Sequence, residues 1–235
     1  MTLSRLHSVA FSVPKLGRGQ EENEDSVALD PLAGRFAVAD GASASARPEL
    51  WSRLLVDAFV RERIDPLAAD VLPRLRDRWN SMAGAADLPW YAQAKLQQGA
   101  ASTFLSLYLD TRSLRYHAAS LGDSCLFHVR GDRALMIGPI EHSDAFNNYP
   151  QLVSSRADAP YRKAAVFMGE YLPGDRFLLA TDAIARFLLA AHERHQRVPV
   201  RTLARGREEF ARGVTRYRLR GQIANDDTTL CVVWA

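Results

Sequence analysis

The sequence predicts an α+β fold in which two antiparallel sheets pack together and helices close their outer faces. From Thr103 to Leu109 the residues alternate with period two, and both faces are apolar: Leu105, Leu107 and Leu109 share one, Phe104 and Tyr108 the other. A strand apolar on both faces needs cover on both, as when one sheet packs on another and helices lie outside. Short turn-rich segments such as Asp30-Pro31-Leu32-Ala33-Gly34 and Asp110-Thr111-Arg112-Ser113 join successive strand candidates at hairpin spacing. Separate stretches carry helical spacing instead, notably Leu50, Leu54, Leu55, Ala58 and Phe59.

In chain order, Leu6 to Val13 and Ser26 to Leu29 read as strands, and Arg35 to Ala39 forms a hairpin arm that stops at Asp40-Gly41. Pro48 marks a helix start, with the helix running to about Arg63. Asp65-Pro66 reads as an N-cap with a first-turn proline, opening a helical stretch to about Trp79 that Pro73 kinks or divides. Strands follow over Thr103 to Leu109, Leu114 to Leu121, Cys125 to Val129 and Ala134 to Ile137. The polar stretch 138–172 reads as a long irregular, flap-like segment. Arg176 to Thr181 is a strand, Ile184 to Leu189 begins a helix, Pro199 to Val214 is helical, and Thr228 to Trp234 closes the chain. No break in composition divides residues 1–235, so a single domain is expected.

Composition narrows the class. Of 235 residues 47% are apolar and 24% charged, which excludes a disordered chain. No apolar run approaches the roughly 18 residues that cross a bilayer, and Arg5, His7 and Ser8 interrupt any signal-peptide core. A cytoplasmic location without a membrane partner is therefore expected. Cys125 and Cys231 supply neither a disulfide framework nor a zinc spacing. The net charge of +3 conceals an uneven distribution. Five acids and no base lie between Glu21 and Asp30, whereas nine arginines face only Glu208 and Glu209 between Arg194 and Arg220. That basic run reads as a solvated helix face; nucleic acid is a disfavoured partner, since no aromatic stripe accompanies the charge.

The acids gather at the ends of strands. Glu24-Asp25 precede one and Asp40-Gly41 end another; Asp123 follows Ala118 to Gly122, Asp182 follows Phe177 to Thr181, and Asp226-Asp227 precede the last strand. Strand ends are stiff, so they converge side chains on one place. Converging carboxylates raise one another's pKa unless a cation offsets them. With no His or Cys among them, an all-oxygen set selects hard ions, Mg²⁺ or Mn²⁺.

These segments resemble the metal-dependent type-2C (PPM) serine/threonine protein phosphatases in their compact bacterial form. The resemblance rests on Asn23-Glu24-Asp25-Ser26, Val38-Ala39-Asp40-Gly41, Gly99-Ala100-Ala101-Ser102-Thr103, Leu121-Gly122-Asp123-Ser124, Ala180-Thr181-Asp182 and Asp226-Asp227-Thr228-Thr229, in the family's order. It implies a four-layer αββα sandwich and two divalent ions sharing a water, with a third, weaker ion site in bacterial members. By the same resemblance Asp40 bridges both ions with help from the Gly41 carbonyl, Glu24 supports one ion, and Asp182 and Asp226 complete the other. Asp123 with Asp182 matches the third site, and Asp25 the acid that orients the attacking water. The implied activity is hydrolysis of phosphoserine and phosphothreonine on a signalling phosphoprotein, with a cognate serine/threonine kinase as an expected partner.

The sequence departs from that pattern at informative places. The phosphate-gripping arginine three residues before the Asn-Glu-Asp run is Gln20, which cannot form a charged bidentate fork. Arg18, or Arg162-Lys163 in the flap-like segment, is the expected substitute. Ala42 to Ser45 replace the usual glycines, Ala183 follows Asp182, and Cys125 stands where arginine is common. Gln20 motivates an alternative, a pseudophosphatase acting as a binding or regulatory module; the intact set of Glu24, Asp40, Asp182 and Asp226 argues for the enzyme.

Overall fold

A computed structural model of the chain describes residues 6–84, 90–147, 149–195 and 205–235. Twelve strands among the described residues form two five-stranded sheets and one small two-stranded one, and every neighbouring pair is antiparallel. The first sheet runs β1 (His7–Val13), β12 (Thr228–Trp234), β11 (Arg176–Ala180), β7 (Cys125–Arg130), β8 (Arg133–Gly138). The second runs β10 (Ala165–Glu170), β6 (Arg115–Leu121), β5 (Phe104–Asp110), β3 (Arg35–Asp40), β2 (Asp25–Asp30). Strands β4 (Ala101–Ser102) and β9 (Val153–Ser154) make the small pair.

Period-two alternation assigns the faces. Leu105, Leu107 and Leu109 of β5 point between the sheets, where they meet Phe36, Val38, Leu126, Phe177, Leu179, Cys231 and Val233. Phe104 points the other way, into a core shared with Trp51, Leu55, Leu75 and Trp79 of the helices α1 (Pro48–Val60) and α2 (Leu72–Ala83). On the far side, Leu178, Leu230 and Val232 pack against Ile184, Leu188, Phe210 and Val214 of α4 (Asp182–Glu193) and α5 (Arg207–Leu219). The layers are therefore helix, sheet, sheet, helix, as expected from the two-faced strands. Truncating one fully buried leucine in the middle layer, such as Leu107, costs about 2–5 kcal/mol.

Three local expectations differ. Pro73 lies in the first turn of α2, where its missing N–H costs nothing, so it opens the helix instead of kinking it. Asp65 does accept from a backbone N–H, that of Leu67 at 2.9 Å, but this closes a turn well before the helix begins. The helix α3 (Trp90–Gln97) has no counterpart in the sequence reading. The 138–172 stretch is not wholly irregular: it contains β9 and β10, and β10 completes the edge of the second sheet by pairing with β6. The expected helix start at Pro199 falls outside the described residues. The basic run that follows is partly neutralised, since Arg212 pairs with Glu208 and Glu209 on α5.

Candidate active site

The acids singled out in the sequence come from both sheets and meet at one end of the sandwich. Asp25 opens β2 and stands directly opposite Asp40, the last residue of β3, in the antiparallel ladder. Asp182 is the first residue of α4, immediately after β11, and Asp226 lies in the turn that leads into β12. Asp123 sits in the connection from β6 of one sheet to β7 of the other. A hydrogen bond crosses between the sheets here: Thr181 Oγ1 donates to Asp25 Oδ2 at 2.9 Å.

Backbone packing fixes these positions. The Gly41 N–H donates to the Glu24 carbonyl at 3.2 Å, and a Cβ at Gly41 would stand 2.8 Å from that same oxygen and from Pro48 Cβ. Only glycine lets β3 end so close to both. Asp40 is held on its backbone: its N–H donates to Thr103 Oγ1 at 3.0 Å, and its carbonyl accepts from Thr103 N and Ser102 Oγ, each at 2.8 Å. Gly122 adopts φ +112° beside Asp123, a conformation side chains disfavour, and a Cβ there would meet Thr103. The Asp40 carboxylate is thus aimed by backbone contacts and left free at its end.

Crowding shows in the electrostatics. Burial first, then the charges of Asp25, Asp182, Asp226 and Asp123, raise the Asp40 pKa well above the carboxylate range. Burial, with Asp227 and Asp182 adding to it, does the same for Asp25. Burial and the neighbouring charges of Asp123 and Asp226 push Asp182 up to about 7, and burial pushes Asp123 up to about 6. Two buried oxygens, Asp25 Oδ1 and Asp123 Oδ1, have no hydrogen-bond partner. Orphaned carboxylate oxygens in a repelling, all-oxygen set are what a divalent cation satisfies, so the residues fit Mg²⁺ or Mn²⁺. Among the described residues no three acids are already closed on one point.

A residue absent from the sequence reading occupies this gap. Lys15, in the loop after β1, bonds Asp226 Oδ1 at 3.1 Å, Glu24 Oε2 at 3.2 Å and Ser43 Oγ at 2.6 Å. Burial disfavours its charge, but the two carboxylates outweigh that and raise its pKa above that of an ordinary lysine. The buried Asp227 clamps the same loop: Oδ1 accepts from Lys15 N and Oδ2 from Glu24 N, both at 2.8 Å. Arg218 of α5 fixes the other side, donating to the Pro14 carbonyl at 2.8 Å, to Thr228 Oγ1 at 2.9 Å and to the Asp226 carbonyl.

The expected phosphate-binding residues are disposed differently. Gln20 lies exposed in a single 3₁₀ turn, Gln20–Glu22, and Arg18, also exposed, bonds Glu22. Of the flap cations, Lys163 lines a cleft of about 390 Å³ beside Asp123, together with Gly122, Tyr149 and Gln151. Cys125 is buried and burial pushes its thiol up to about 12, so it has no nucleophilic role.

A sequence profile described as "Protein phosphatase 2C" matches residues 17–220. No curated protein sequence matches the chain. Among solved structures, PppA, a key regulatory component of T6SS in Pseudomonas aeruginosa, is 22% identical, covering 99% of each chain with a TM-score of 0.65. The photosystem II phosphatase PBCP is 18% identical over 98% of each chain, TM-score 0.64. The catalytic domain of the serine/threonine protein phosphatase PstP, in complex with two manganese ions, is 20% identical over 97% of each chain, TM-score 0.61. At these identities the structural likeness speaks for the fold, and the sequence profile for the family.

Proposed function

Because this chain belongs to the protein phosphatase 2C family, we propose that its carboxylate site works as a two-ion centre in a metal-dependent protein serine/threonine phosphatase. The activity and its metal dependence are those of the family; the ion count and the residue roles are our reading. One observation carries it: Asp25, Asp40, Asp123, Asp182 and Asp226 converge from both sheets, where burial and neighbouring charges raise the pKa of Asp25, Asp40, Asp123 and Asp182, with two buried oxygens unpartnered. Such a set is stable as carboxylates only around cations.

Asp40, Asp182 and Asp226 would hold the ions, with Glu24 and the Gly41 carbonyl beside Asp40 and with Asp123 near Asp182 for a third. Bound there, divalent ions supply a water acidic enough to attack phosphorus near neutral pH and offset the charge on the phosphoryl oxygens. The chain's own groups do the rest. Asp25, fixed through Oδ2 by Thr181, would be the acid that orients the attacking water. The Asp40 backbone bonds keep that carboxylate from following the substrate as charge develops. The cleft beside Asp123, with Lys163 on its wall, receives the phosphorylated segment of the substrate protein. No side-chain nucleophile is required.

The test is hydrolysis of an aryl phosphate and of a phosphothreonine peptide with and without Mn²⁺, run beside Asp40→Asn. Metal-dependent turnover in the wild type and none in the variant is expected. Equal rates in the two proteins, or no metal dependence, would remove the enzyme reading. Nothing in the site favours a pseudophosphatase, since each carboxylate named above is present. A cytoplasmic location and a cognate kinase remain proposals of this reading; among the described residues no helix is long and apolar enough to cross a membrane.

A further inference from the structure

We propose that Lys15 is a tethered cation of the metal-free enzyme, which neutralises Glu24 and Asp226 and must be displaced from them by the incoming divalent ion. The inference rests on the proposed metal centre. Its basis is geometric: one ammonium nitrogen lies within 3.2 Å of Glu24 Oε2, Asp226 Oδ1 and Ser43 Oγ, on the acids expected to face an ion. Ser43 Oγ in turn donates to Glu24 Oε2, so the three acceptors form one cradle around the nitrogen. The cradle is built, because Asp227 holds the Lys15 and Glu24 backbones at 2.8 Å each and so fixes the spacing between them.

The residue type fits the role. The chain has 27 arginines and three lysines, Lys15, Lys95 and Lys163, so a lysine stands out against this chain's habit. An ammonium is compact and carries its three donors at one point, as a small ion carries its charge; a planar guanidinium does not fit a three-oxygen cradle in that way. Carboxylate oxygens shared by an ammonium and an ion cannot serve both fully, so the ion's affinity is lowered by whatever the ammonium gained. In exchange, the metal-free site keeps its acids in place instead of letting them splay apart.

The experiment uses the full chain labelled with ¹⁵N-lysine, titrated with Mg²⁺ and followed by ammonium ¹⁵N–¹H correlations at low temperature, beside calorimetry of Mg²⁺ binding. With three lysines, Lys15→Met identifies the Lys15 signal by its loss; should that variant not fold, Lys95→Met and Lys163→Met identify it by elimination. The Lys15 ammonium, held by three acceptors, should give a signal in metal-free protein that shifts or vanishes with the calorimetric midpoint. Lys15→Met should bind Mg²⁺ about tenfold more tightly than wild type. Binding of Mg²⁺ with an unmoved Lys15 signal, or no gain in affinity in a folded Lys15→Met, overturns the inference and leaves the metal centre standing. No Mg²⁺ binding by the wild type overturns both.

Discussion

Asp40 faces Asp25 across the β2–β3 ladder, a like-charged pair in direct register, which ordinary sheet energetics disfavour. The pair is explicable only if function requires it, and its variants should show opposite effects on turnover and on stability. Asp40→Asn should lower kcat/KM by about 10³-fold or more, while the metal-free variant melts higher than wild type at pH 8 because one repelling charge is gone; steady-state kinetics and thermal melts check both. Asp227 should behave in the reverse sense. Its carboxylate accepts two backbone N–H bonds, so Asp227→Ala should cost about 2–5 kcal/mol in chemical denaturation, and Asp227→Asn less. Asp25, Asp40, Asp123, Asp182 and Asp226 were readable from sequence because each lies where an apolar strand begins or stops, and strand ends are visible in a linear pattern. Lys15 was not readable. It belongs to the site through contacts to residues nine and 211 positions away, and a lone lysine in a polar loop carries no periodicity.

The site depends on how its strands end as much as on their side chains. Gly41 allows β3 to stop against the Glu24 carbonyl and the start of α1, so a methyl group there must push one of them aside. Gly41→Ala should cost about 1–3 kcal/mol in stability and lower kcat more than it raises KM, since it displaces Asp40 and not the cleft that receives the substrate. Pattern reading located the strands well where alternation is regular, as in β5 and β12. It failed at β10, where the exposed face carries the apolar Val166 and Met168 while the opposite face, with Phe167 against the core, is only half-buried, so no apolar–polar alternation marks the strand. It misjudged Pro73 for a different reason: a proline inside a helical pattern reads the same whether it divides a helix or opens one. Arg218 shows the limit of reading charge runs as solvated faces. That residue is buried, and it ties α5 to the turn carrying Asp226.

For the molecule as a whole, raised carboxylate pKa values make stability depend on pH in an unusual direction. The folded, metal-free protein binds protons at Asp182 and Asp123 more tightly than the unfolded chain does, with pKa values near 7 and 6. Their contribution is present at pH values below the ordinary carboxylate range and is lost as the pH rises to about 7. The melting temperature of metal-free protein should therefore fall between about pH 4 and pH 7, and saturating Mn²⁺ should abolish that slope; a metal-free melting temperature that rises across this window would contradict the crowded-acid description. The αββα layering was legible because strands apolar on both faces permit few other arrangements, and the structure bears it out. The hydrogen bond from Thr181 to Asp25 has a further consequence. It spans the middle layer, so the geometry proposed for catalysis exists only when one sheet is in its proper alignment on the other. A slip between the sheets of a fraction of an ångström, too small to break a ladder or expose the core, would already misplace Asp25 relative to Asp182. Turnover should then be lost in mild denaturant while circular dichroism still reports intact strands and helices, which makes inactivation the earliest sign of shear within this sandwich.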